Sequence, residues 1–263
     1  GLRWKNLYTH DTAPHWDDLT AFLIIGQFLN AVVPLRFGEL SQAYLAGKSS
    51  KTPLGTNLSL VIVLKFLDAL AILISTLMLG FVLALPDWFR TASWAFLGVF
   101  GVILIVIALV LWLRKPLAKF ADRLPPKLGH LFSTGLDGLS MLLDSGRLLP
   151  ALGLTALIWL TSFATEYTLF CGLNIPPTAT GALLIIVSHY ISALIPGIPA
   201  QVGVFHYVTV LCLSLFGVGE TTGMSYALVL HALIYGTILV LGALVIWLKS
   251  VDIDTLWKMG KQA

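Results

Sequence analysis

Charge is scarce in this sequence. Lys, Arg, Asp and Glu make up 11% of its 263 residues, against 57% hydrophobic residues and a mean hydropathy of +0.90. Soluble domains carry about 25% charged residues. A soluble globular domain is therefore excluded, and the long apolar runs specify an all-α polytopic membrane protein. The net charge is only +3, so no nucleic-acid partner is expected. Cysteine is nearly absent as well. Cys171 and Cys212 both lie in apolar runs, and no Cys/His spacing resembles a metal site, so both read as small buried hydrophobes. No Walker motif is present, which excludes ATP hydrolysis by this chain. No cofactor, no metal and no catalytic residue set is expected.

What the chain does have is apolar length. Runs fall at 19–35, 55–84, 92–113, 148–171, 178–196, 200–217 and 223–248. A spanning helix needs about 20 residues, so the runs at 55–84, 92–113, 148–171 and 223–248 qualify. The others are short or broken by Pro and Gly. The longest polar stretch, 114–147, holds Arg114, Lys115, Lys119, Arg123, Lys127 and Arg147. Basic loops stay in the cytoplasm, which places 114–147 inside and the connections 85–91 and 172–177 outside. Within it, 128–143 carries Leu128, Leu131, Phe132, Leu136, Leu139, Leu142 and Leu143 at helical spacing. This predicts an amphipathic helix, lying on the inner membrane surface or packed on the ends of the bundle. The whole of 1–263 reads as one integral membrane domain.

Two stretches resemble each other. "NAVVPLRFGE" (30–39) has a counterpart in "SALIPGIPAQVGVFH" (192–206). Pro34 aligns with Pro196, and Gly38 and Gly203 follow. Each copy precedes one long run bearing a basic or ionisable residue, Lys65 or His231, at 31 and 35 residues beyond the proline. With the topology above, 19–48 and 178–217 enter from opposite sides. They read as two inverted broken-helix or re-entrant repeats, whose tips near Pro34 and Pro196–Pro199 meet in the bilayer, an architecture of transporters.

Ionisable residues inside apolar runs need a reason. An unpaired Arg, Lys or Asp at the centre of a membrane helix costs about 2.5–3.5 kcal/mol. Arg36 and Glu39 are three apart, as are Lys65 and Asp68, so each pair can meet on one helix face. They read either as two structural ion pairs or as a polar site in the bundle. A half-helix beginning just after Pro34 puts Glu39 in its first turn. Pro199 starts a second half-helix in the same way, with Gly197 relaxing the turn. Two helix N-termini with Arg36 suit an anion such as phosphate. His189, His206 and His231 read either as hydrogen-bonded core residues or as headgroup contacts or a proton relay. Glu166 has Thr161, Ser162, Thr165 and Thr168 beside it, which predicts a polar face towards the bundle interior. Glu220 belongs at the outer interface.

Four stretches carry a family resemblance: "LRW" (2–4), N-x-x-x-P-x-R-x-G-E (30–39), "LKFLD" (64–68) and P-G-x-x-x-x-x-G-V-F (196–205). With these the chain resembles the flippase-like membrane domain of the lysylphosphatidylglycerol synthase family, over nearly its whole length. The resemblance implies one or two helices ahead of this segment. It also implies a lipid-handling centre that includes Asn30, Pro34, Arg36, Gly38 and Glu39. Two features depart from the family pattern. Pro199 and Ala200 interrupt the second motif, with His206 near the position of its glutamate, and Lys65 stands where arginine is common. No soluble synthase domain is present, so aminoacylation of lipid by this chain is not implied.

The expectation is a lipid transporter or flippase of the inner membrane. Its partner is a membrane phospholipid, and a homo-oligomer is allowed. The residues taken to contact the headgroup are Asn30, Pro34, Arg36, Gly38, Glu39, Lys65, Asp68, Glu166, His189, Pro196, Gly197, Gln201, His206 and His231. The alternatives are a membrane-embedded enzyme acting on a lipid or polyprenyl phosphate, or a non-transporting partner subunit.

Overall fold

The computed structural model describes residues 1–8, 13–33, 37–83, 86–176, 178–193 and 198–251, with only the backbone of Trp88. Among them every regular element is helical. In chain order these are α1 (Leu2–Lys5), α2 (Trp16–Val32), α3 (Gly38–Ser50), α4 (Leu54–Val82), α5 (Asp87–Trp112), α6 (Arg114–Ala121), α7 (Pro126–Leu139), α8 (Ser145–Gly172), α9 (Ala179–Ser192), α10 (Val204–Ser214) and α11 (Glu220–Leu248). Short 3-10 turns occupy Ser140–Leu143 and Pro199–Gln201. Four of the described helices are long and apolar enough to cross a membrane: Leu54–Val82, Phe89–Trp112, Ser145–Gly172 and Glu220–Leu248. They coincide with the four runs that met the length requirement. The chain is an integral membrane protein of the polytopic helical class.

The helices divide between two compact units. The first comprises Gly1–Phe66, Val106–Leu154 and Thr237–Ala263, and the second Leu67–Ile105 and Thr155–Gly236. In the first, α2 packs against α3. The seam is close because it is lined by small residues. A Cβ on Gly38 would fall 2.1 Å from the carbonyl oxygen of Gly26, and one on Gly26 would fall 2.5 Å from Cγ of Gln42. Only glycine permits that approach. Trp4, from the "LRW" stretch, is fully buried, with Leu19, Ile25, Ala43, Leu60 and Val63 also in this interior. The turn from α3 into α4 is held by Asn57. Its Nδ2 donates to Thr52 Oγ1 (2.8 Å) and to the Pro53 carbonyl (2.9 Å), and its Oδ1 accepts from the Tyr8 hydroxyl. A fully buried amide in an apolar helix needs all these partners.

The second unit is built around Leu184, Ile185, Val187, Phe205, Leu213 and Tyr226. There α9 packs against α10. The start of α9 is capped by Thr178, whose hydroxyl accepts from the Gly181 N–H (3.1 Å), a residue type suited to that position. Cys212 is buried here, and its thiol lies 3.3 Å from the Ser188 hydroxyl. Cys171 is exposed, which corrects the expectation of two buried cysteines. It lies in the last turn of α8, beyond the packed face.

The start of α10 also differs from expectation. Pro199 opens only a three-residue 3-10 turn, and the α-helix begins at Val204. The cause lies in the backbone. Ala200 (φ 48°), Gln201 (φ 53°) and Gly203 (φ 87°) all have positive φ, which no right-handed helix can contain.

Candidate functional site

In the first unit the helical hairpin α2–α3 breaks between Val32 and Gly38. Pro34 and Arg36 lie in this break and outside the described residues, as do Pro196 and Gly197 in the second break. What surrounds the first break is a polar cluster drawn from three helices. Asn30, near the end of α2, acts as a remote cap for α3. Its Oδ1 accepts from the Gly38 N–H at 2.9 Å, replacing a local cap that Phe37 does not supply. Its Nδ2 donates to both carboxylate oxygens of Glu39, at 3.1 Å each. Glu39 therefore sits in the first turn of α3, where the helix dipole favours an anion. Its cation comes from α4: Lys65 Nζ lies 3.0 Å from Glu39 Oε1.

The sequence pairs Glu39 with Arg36 and Lys65 with Asp68, each along one helix. The structure shows Glu39 and Lys65 joined between helices. Asp68 is likewise not without a partner. The Lys65 side chain is 51% exposed and that of Glu39 29%. This is a part-exposed charged pair, not one locked in a core.

The second unit carries a cluster of aromatic and imidazole rings around its own break. His189, on α9, is 2.8 Å from the Thr209 hydroxyl and stacks on Phe205 at 3.8 Å between centroids. His206 on α10 and His231 on α11 face each other at 4.7 Å. Tyr235, one turn beyond His231, stacks on it at 4.5 Å. The ring nitrogen Nε2 of His231 is 2.9 Å from the Ala200 carbonyl oxygen, so it donates to the left-handed turn that precedes α10. Gln201 occupies that turn and is half-buried. The three histidines that the sequence singled out thus come together.

Glu166 behaves differently from its neighbours. It is 5% exposed, and Tyr226 donates a 2.5 Å hydrogen bond to its Oε2. Thr161, Thr165 and Thr168 are exposed, and their hydroxyls donate to carbonyls of Ile158, Thr161 and Ala164 on the same helix. Ser162 does likewise to Ile158. This corrects the expected polar face towards the interior. A hydroxyl that bonds the preceding turn is already satisfied and can face an apolar medium, whereas a carboxyl cannot. Glu220 is exposed at the first residue of α11.

Two features escaped the sequence reading. Gln42 is buried at the α2–α3 seam, and its Nε2 has no partner among the described residues. Asn57 and Tyr8 form the polar lock described above. Both involve uncharged polar residues whose neighbours lie on other segments, so no local signal marks them. Among the described residues no group of three His, Cys, Asp or Glu is placed to hold a metal ion.

The family model of the lysylphosphatidylglycerol synthase TM region matches residues 1–242. The chain belongs to that family. No curated protein and no solved structure matches it. For the lysylphosphatidylglycerol synthase TM-region family, this chain thus displays the polar groups gathered at its two helix breaks, Asn30, Glu39 and Lys65 in one unit and His189, His206 and His231 in the other.

Proposed function

We propose that the chain is a single integral membrane domain of the cell's inner membrane that binds an anionic phospholipid headgroup and moves it between leaflets. The observation that carries this reading is the part-exposed Glu39–Lys65 pair at the start of α3, whose carboxylate also accepts from Asn30. An ammonium on an apolar spanning helix costs about 2.5–3.5 kcal/mol unless neutralised. Glu39 neutralises it in the empty state, and a lipid phosphate takes over when bound. Arg36, two residues ahead of Gly38 in the sequence, adds a planar donor fork that holds two phosphate oxygens. Exchange of one anionic partner for another keeps the barrier to movement low. The family, the lysylphosphatidylglycerol synthase TM region, supports a lipid as the cargo.

The local parallel between the two breaks supports the inverted-repeat reading. In each, the long helix that follows sends one ionisable side chain back to the break: Lys65 to Glu39, and His231 to the Ala200 carbonyl. Glycines that align in sequence stand at both helix starts, Gly38 in the first turn of α3 and Gly203 at the cap of α10.

The test is transfer of a fluorescent anionic lipid in vesicles that hold the purified protein, with a zwitterionic lipid as the control. Wild-type protein should speed transfer of the anionic probe. Arg36→Ala and Lys65→Ala should each abolish most of that gain, and Arg36→Lys should impair it. Glu39→Gln should bind lipid at least as tightly but release it more slowly. Equal transfer with and without protein, or full transfer by Arg36→Ala and Lys65→Ala, overturns the proposal.

A further inference from the structure

The connection from α5 to α8 carries a surface that the site does not use. It leaves one spanning helix at Trp112 and enters the next at Ser145, so both its ends are fixed at the same face of the membrane. Within it, α7 is seated in the first unit by its small residues. A Cβ on Gly129 would lie 2.5 Å from the Ala121 carbonyl of α6, and one on Gly138 would meet Ser59 of α4. The Thr56 hydroxyl of α4 donates to the Thr134 carbonyl at 3.3 Å. Packing therefore consumes the glycines and leaves the large apolar side chains free. Leu128 is 55% exposed, Leu131 37% and Phe132 38%. They sit at i, i+3 and i+4, on one face, and Ser133 and Asp137 fall on the opposite one.

Charge accompanies this face. Arg114, Lys115, Lys119, Arg123 and Lys127 are all exposed. Arg147 is engaged with Asp144 at 3.0 Å. Exposed apolar side chains with exposed cations nearby in the chain, on a helix tethered at a membrane face, fit the boundary between acyl chains and anionic headgroups. We propose that α6 and α7 form a shelf that inserts Leu128, Leu131 and Phe132 into the leaflet beside the bundle and binds its anionic headgroups through the basic residues of α6 and the α6–α7 turn.

The test uses the full chain in lipid nanodiscs, one set of phosphatidylcholine alone and one containing phosphatidylglycerol. Spin labels are placed by Leu131→Cys, Phe132→Cys and, on the opposite face, Asp137→Cys, in a Cys171→Ser, Cys212→Ala background. Collision with oxygen reports the acyl region, and collision with a nickel chelate reports water. In phosphatidylglycerol discs, positions 131 and 132 should meet oxygen and position 137 the nickel chelate. In phosphatidylcholine discs the labels at 131 and 132 should move towards water. Raised salt, or Lys115→Glu with Lys119→Glu and Arg123→Glu, should reproduce that outward shift in phosphatidylglycerol discs. Nickel access at 131 and 132 in both lipids overturns the proposal. So does a depth indifferent to lipid charge, salt and charge reversal. Protection seen only when two copies share a disc, with spin–spin broadening at 131, would make a second copy the occupant and overturn it as well.

Discussion

The two helix breaks solve one problem by different means. Each must satisfy polar backbone where an apolar segment stops and another begins. The first break uses side chains: the Asn30 amide caps Gly38, and Glu39 and Lys65 neutralise each other. Its backbone approach is tight, glycine against carbonyl across the α2–α3 seam. The second break uses backbone conformation and neutral-capable rings. Ala200 and Gln201 take left-handed φ, and His231 holds the exposed carbonyl. The lesson is that the aligned sequence motifs mark where a helix is interrupted, and the chemistry installed there is set by each unit. The first break gathers a carboxylate and an ammonium. The second gathers imidazole and aromatic rings joined by single hydrogen bonds, and the same unit holds the buried Glu166–Tyr226 pair.

The largest effect should come from closing the space in the first break. Gly38→Ala places a methyl against the Gly26 backbone, which cannot rotate away. A loss of about 3 kcal/mol is expected, at the upper end for overpacking, visible as a large drop in thermal stability in detergent. Gly203→Ala meets no atom within 4 Å but must hold φ 87°. It should lose about 1 kcal/mol through backbone strain alone. Equal losses at the two glycines would erase the distinction between a packed break and a strained one.

Tyr226→Phe comes next. It removes the hydroxyl that donates to a carboxyl only 5% exposed. Leaving a buried acceptor unmet costs about 1–3 kcal/mol. Glu166→Gln should lose less, because an amide oxygen still accepts from Tyr226. The order of melting temperatures, wild type above Glu166→Gln above Tyr226→Phe, checks this. A Tyr226→Phe protein as stable as wild type would show that the carboxyl finds another partner.

Ala200→Gly should stabilise the second break by about 1 kcal/mol, since glycine takes φ 48° without penalty. The gain would appear as a raised melting temperature with His231 in place, and it should persist in His231→Ala, because strain and hydrogen bond are separate contributions. No gain in either background would mean that the turn is unstrained.

The smallest effect concerns the ion pair between Lys249, just past α11, and Asp18 in α2, at 2.5 Å. It is part-exposed, so Asp18→Asn should cost at most about 1 kcal/mol and less in high salt. The hydrogen bond to Asp18 raises the lysine above its ordinary pKa. The contribution is therefore full below the ordinary lysine range and fades as pH rises through the raised folded value. Stability scans of wild type and Asp18→Asn should converge at high pH.

The spanning helices were legible because their signal is local. About 20 consecutive apolar residues have one physical solution in a bilayer, and 55–84, 92–113, 148–171 and 223–248 were recognisable from composition alone. The interruption between α2 and α3 was legible too, since a proline at position 34 turns the residue before it away from the helical conformation. Family membership followed from motifs written in consecutive residues. The partners of the charged residues were not legible in this way. Spacing offers only i, i+3 neighbours along one helix, and Glu39 meets Lys65 across 26 residues because α3 and the first part of α4 belong to one unit. The same holds for Glu166 and Tyr226, which no pattern connects. The direction faced by Thr161, Thr165 and Thr168 also depended on packing, since a hydroxyl satisfied by its own helix is equally at home on either side. Sequence thus determined which segments are helices in a membrane and where they break. Tertiary structure alone decided which polar groups meet, because a contact between helices depends on rotation about each helix axis, and apolar residues on nearly every face leave that rotation unspecified.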